Sequence, residues 1–149
     1  MTTQVKEPWY ITRRGELLSQ EFLFELAPKQ AIYTGDDPDH EVDYMALFSK
    51  PSSGLITIAM TVKPTEEEIK GVYPVKISEL NKLKNSNIPV LILVIDVKRN
   101  QYFFNWVDEV ARLNETETPT SDQETLIPLR HGTTEEIQKL KQEILAISP

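Results

Sequence analysis

In RRGELLSQEFLFELAP, the stretch after Thr12, Leu18, Phe22 and Leu26 recur every fourth residue, so all three fall on one face of a helix. Thr12 as N-cap and Pro28 as a stop set that helix at about residues 13–27. The period then changes to two. KQAIYT is a short strand candidate, and GDDPDH has the Gly, Asp and Pro content of a turn. In EVDYMALFS, Val42, Tyr44, Ala46 and Phe48 point one way and Asp43, Met45 and Leu47 the other, with both faces largely apolar, as in an interior strand. KPSSG closes a hairpin onto LITIAMTVK, in which Ile56, Ile58, Met60 and Val62 share one face and Thr57, Ala59, Thr61 and Lys63 the other. Pro64 lacks an amide hydrogen, which predicts a strand end at Lys63.

The second half alternates helices and strands. Thr65 and Glu68 form a capping-box pattern that predicts a helical turn, and ISELNKLKNS carries Ile77, Leu80 and Leu83 at helical spacing. IPVLILVIDV is a continuous aliphatic run of the kind buried on both faces at the centre of a mixed sheet. YFFNWVDEVARL reads as a strand entering a short helix, residues 114–124 as an exposed polar loop, and TLIPL as an edge-like strand. Thr133 and Glu136 make a second capping box before Ile137, Leu140, Ile144 and Leu145, which close the chain on a helix. The expected fold class is therefore α/β (α+β): a central mixed β-sheet flanked by helices in one domain over residues 1–149, with residues 1–11 as an N-terminal extension.

Composition narrows the function classes. The 149 residues are 40% hydrophobic and 26% charged, enough for one real core. A net charge of −7 argues against coating nucleic acid by bulk electrostatics and leaves room only for a local basic patch. Without cysteine there is no disulfide framework, thiolate zinc site or cysteine nucleophile, which fits a reducing compartment. MTTQVKEPWY lacks the apolar core of a signal peptide and no run is long enough to span a bilayer, so a cytoplasmic protein without a membrane partner is expected. Phosphate loops, nucleophile elbows and zinc-protease spacings are absent.

The candidate chemistry sits on the hairpin. Asp43 lies on one strand and Lys63 at the end of its partner, both toward the open end of the sheet. Carboxylates that hold a hard cation, together with an ammonium that offsets phosphoryl charge, are the parts of a metal-dependent phosphodiesterase. A second acid in such sites stands two residues before the lysine, where Thr61 is found, and Glu16 in the first helical turn can reach the same end. The plainer alternative is that Asp43 and Lys63 blunt strand ends and Glu16 favours a helix dipole. Asp36, Asp37, Asp39 and Glu41 fit a turn better than a calcium loop, and His40 a solvated turn residue. His131, beside Arg130 and Gly132, is placed to meet an anion at a helix N-terminus, although a plain loop accounts for it as well. Phe103, Phe104 and Trp106 suit a core better than a base-stacking platform.

The succession GELLSQEFLFEL, HEVDYMALF, ITIAMTVKP, ISELNKLKNSNIPVLILVIDV, YFFNW and TLIPLRHGTTEEIQKL resembles a family of prokaryotic domains of unknown function. That family belongs to the restriction-endonuclease-like superfamily, known by its PD-(D/E)XK motif, and the similarity runs from the first helix to the last. The resemblance implies a nuclease fold in a DNA-processing or defence context, with DNA as a partner and Mg²⁺ or Mn²⁺ as cofactor if active. It also implies Asp43 and Glu16 as metal ligands and Lys63 as the motif lysine. Thr61 stands where the family has Glu or Gln, and Glu41 where a glycine is common. A threonine oxygen is neutral and holds Mg²⁺ more weakly than a carboxylate, so the motif is degenerate. Two functional expectations follow: a metal-dependent deoxyribonuclease, or a catalytically silent fold kept for binding a protein partner or for self-association.

Overall fold

The computed structural model describes residues 8–35, 42–51, 54–112 and 123–147. The acidic turn with Asp36, Asp37, Asp39, His40 and Glu41, and nearly all of the expected polar loop, lie outside them. In chain order the elements are α1 (Trp9–Leu26), β1 (Gln30–Tyr33), β2 (Tyr44–Ser49), β3 (Leu55–Thr65), β4 (Val72–Lys76), α2 (Ile77–Lys84), β5 (Val90–Asp96), β6 (Gln101–Trp106), α3 (Val107–Arg112), β7 (Glu124–Pro128), β8 (Arg130–His131) and α4 (Thr134–Leu145).

Six strands form one mixed sheet in the order β1-β2-β3-β5-β6-β8. β1, β2 and β3 are antiparallel neighbours, β3 and β5 run parallel, and β6 is antiparallel to both β5 and β8. The molecule is thus a mixed α/β protein with helices on both faces of the sheet. On one face, α1 and α4 bury Leu18, Phe22, Leu26, Leu140 and Ile144 against Ile58, Met60, Leu93 and Phe104. On the other, α2, α3 and a separate two-stranded sheet of β4 and β7 cover Ala59, Ile92 and Val94 with Leu80, Val110 and Ile127. β5 is buried along all seven residues because both layers meet on it.

Three expectations change. α1 begins behind Pro8 rather than at a Thr12 cap, because the fixed proline φ of −56° starts the helix and Ile11 extends the buried stripe by a turn. The expected N-terminal extension is shorter by the same residues. β3 does not stop at Lys63: Pro64 is inside it, opposite Ile95. The reason is directional. The Val62 N–H points toward the β2 side, and position 64 faces the same way, past the start of β2, so the missing proline donor leaves no ladder bond unmade. The third change is at Thr65, whose hydroxyl accepts from the Glu67 amide at 3.1 Å while the chain turns toward β4 without forming a helix there. At the last helix the capping signal holds, with Thr133 Oγ1 accepting from the Glu136 amide.

Candidate functional site

Asp43 is the last residue before β2 and is held on the shoulder of β3. Its amide donates to the Met60 carbonyl at 2.8 Å, and its Oδ2 accepts the Val62 N–H at 2.7 Å. Its carboxyl therefore takes the ladder position that a longer β2 would have filled with a carbonyl. Burial pushes the Asp43 carboxyl above the usual aspartate range, against the Val62 amide, the Lys63 charge and a hydrogen bond from Thr61, all of which favour the ionised form. The Glu79 charge adds to the upward push.

Above the carboxyl is a cleft of about 100 Å³ lined by Glu16, Ser19, Tyr33, Asp43 and Tyr44, with Gly15 and Pro64 at its side. Close helix–strand approach makes this wall: a Cβ on Gly15 would stand 2.8 Å from the Pro64 Cβ. That contact seats the first half of α1 on the end of β3 and so sets Glu16 beside the Asp43 opening. Ser19 Oγ donates to the Glu16 carbonyl at 2.8 Å and lies 3.1 Å from the Tyr44 hydroxyl, tying the helix to β2. The Glu16 carboxylate leans back to Arg13 at 3.3 Å.

Lys63 does not line this cleft. Period-two geometry puts it on the face of Ala59 and Thr61, where α2 packs, and its Nζ is paired with the Glu79 carboxylate. It lines a separate groove with Tyr73, Val75, Glu79 and Glu124. Thr61 is 2% exposed, with its hydroxyl turned to Asp43. The four residues singled out in the sequence thus divide: Asp43 and Glu16 share the cleft, Thr61 lies beneath Asp43, and Lys63 reaches Asp43 only through its field.

Glu79 was missed in the sequence, although a signal for it exists. Parallel strands such as β3 and β5 require a crossover element that packs back on the sheet, and Lys63 faces that side. An acid in the first turn of the crossover helix is then a candidate partner for the lysine. Of the remaining candidates, His131 belongs to β8 and stacks on Phe103 at 4.8 Å, while Phe103 and Phe104 are buried in the two cores. Trp106 donates its indole N–H to Glu143 at 3.0 Å.

A hard divalent cation takes six or more oxygens, with ionised carboxylates among them. Among the described residues no three His, Asp or Glu side chains lie close enough together to hold a metal ion. Burial works against the charged form of Asp43, Glu16 leans on Arg13 and Glu79 on Lys63. Among the described residues, then, Asp43 and Glu16 are the carboxylates that share the cleft, fewer than a divalent site takes. What the cleft offers is a carboxyl that exchanges its proton nearer neutrality than an exposed aspartate would.

The fold and site define a mixed α/β protein with a partly buried aspartate at the open end of its sheet. No family model, curated protein or solved structure matches the chain.

Proposed function

We propose that this chain is a nuclease-fold domain, restriction-endonuclease-like in architecture, with a degenerate centre that is inactive or weakly active, in a prokaryotic DNA-processing or defence context. The order α1, β1, β2, β3, β4, α2, β5, with an antiparallel hairpin joined to a parallel crossover, supports the architecture. The observation that carries the loss of activity is Thr61. It is a buried hydroxyl under Asp43 at the position where a second carboxylate would have to stand, and Lys63 is engaged by Glu79. A carboxyl whose charged form burial disfavours, with a neutral hydroxyl where the second acid would stand, is a poor anchor for a cation.

Incubating DNA with the purified protein and Mn²⁺ is expected to give no cleavage above the level of Asp43→Ala or Lys63→Ala. Metal-dependent cleavage that both substitutions abolish would overturn the proposal in favour of an active endonuclease. Thr61→Glu returns an acid beside Asp43 and is expected to tighten Mn²⁺ binding by about 10-fold or more, read by titration on protein whose thermal melt is unchanged. Unaltered binding would count against the site as a relic of a metal centre.

A further inference from the structure

α1 is apolar on two opposite faces. One, with Ile11, Leu18, Phe22 and Leu26, is buried on the sheet. The opposite face carries Trp9, Tyr10, Leu17 and Phe24, exposed to 78%, 49%, 48% and 84%. Tyr10, Leu17 and Phe24 are spaced by seven residues, which drifts only about 20° per step around a helix, so they form one outward ridge. A helix apolar on both faces suits the inside of an assembly, and packing among the described residues leaves Phe24 almost wholly exposed.

We propose that this ridge is the interface of a two-fold homodimer in which α1 packs antiparallel on α1 of a second copy, centred on Leu17. Self-complementarity identifies the occupant. Tyr10 and Phe24 lie seven residues on either side of Leu17, and Arg13 and Glu21 lie four on either side. An antiparallel pairing about Leu17 therefore sets each Tyr10 against the other copy's Phe24 and each Arg13 level with the other copy's Glu21. Charge leans the same way, because Arg13 and Arg14 with Glu16 leave the N-terminal half net positive and Glu21 and Glu25 make the C-terminal half negative. A parallel pairing would bring arginine to arginine and align the two helix dipoles; the antiparallel one opposes them. The 18-residue helix is about 27 Å long, enough for the ridge to meet its copy over its whole length. Among the described residues Arg13 meets Glu16 in an exposed contact at 3.3 Å and Glu21 meets the Tyr102 hydroxyl, so both side chains exchange a partner of their own chain when they meet across the seam. An isologous contact of this kind uses the same patch twice and closes as a dimer.

Sedimentation velocity on the full chain tests the proposal independently of the cleft chemistry. The wild type is expected to dimerise with concentration. Leu17→Lys, which puts two like charges on the axis, and Phe24→Ser, which removes an outward ring, are each expected to give monomers with an unchanged thermal melt. Arg13→Glu should weaken the dimer several-fold, and adding Glu21→Arg in the same chain should restore it. The chain has no cysteine of its own, so Leu17→Cys is expected to give a single disulfide-linked dimer on oxidation. A wild type that stays monomeric, a dimer indifferent to Leu17→Lys and Phe24→Ser, or a ridge that captures only an unrelated protein would overturn it.

Discussion

Asp43 and Asp96 stand at the same end of the sheet, Asp43 just before β2 and Asp96 as the last residue of β5, yet they differ in how their burial is compensated. Asp96 is 0% exposed, and its Oδ1 accepts the Lys98 and Arg99 amides at 3.1 and 3.0 Å while Oδ2 accepts the Arg99 guanidinium at 3.0 Å. Both oxygens are met by donors from the turn that follows, so the carboxylate organises the reversal into β6. Asp43 is less buried, yet burial outweighs the Val62 amide, Lys63 and Thr61, and its carboxyl is pushed up. The lesson is that depth alone does not make an aspartate reactive; what matters is whether the local backbone supplies donors in proportion. Asp96 is a structural cap, and Asp43 is the residue with chemistry in reserve.

The largest effect is expected at Asp96. Asp96→Ala strips the acceptor from two turn amides and a guanidinium, and urea unfolding should lose about 2–3 kcal/mol. A loss below half a kcal/mol would mean that water replaces the carboxylate and that the turn holds itself. Asp43→Asn keeps an oxygen for the Val62 amide and removes only the charge, so its cost at neutral pH should lie within about 1 kcal/mol. Its signature is the pH dependence. A raised folded pKa means the native state binds the proton more tightly, so the Asp43 contribution is fully present in acid and is lost as pH rises through the raised value. Melting temperatures of wild type and Asp43→Asn measured from acid to neutral pH should therefore diverge in the variant's favour as pH increases; parallel curves would show that burial leaves the Asp43 carboxyl unshifted.

The smallest effect is expected at Lys63. Lys63→Met removes a charge that holds the Asp43 carboxyl down, so carboxyl NMR should find Asp43 titrating at higher pH, with stability changed by about 1 kcal/mol or less for so open a pair. An unmoved Asp43 titration would sever the link between the two faces of β3.

Much of this was readable along the chain. The aliphatic run of β5 and the alternation in β2 declare their faces, and burial follows them; in β3 the alternation holds only as far as Ile58, since Ala59 and Thr61 on the other face are buried as well. The Thr133 cap is a local hydrogen bond between residues three apart, so its sequence signal survives folding. The signal at Thr65 does not survive, because β4 pairs with β7 across some fifty residues and draws the chain into a strand instead. Pro64 misled for a related reason: whether a proline ends a strand depends on which neighbour its missing donor would have met. Asp43, Glu16 and Thr61 were legible as a neighbourhood. Glu79 was not, since nothing local couples positions 63 and 79 until α2 folds over β3.

The periods, and hence which side of each element is apolar, are written along the chain, because side-chain direction is a local consequence of backbone geometry. The pairing of Lys63 with Glu79 and the desolvation of Asp43 beside the Val62 amide arise only when the layers pack. Those outcomes depend on which elements meet across the sheet and on how much water their meeting expels, and both are properties of packing rather than of local sequence.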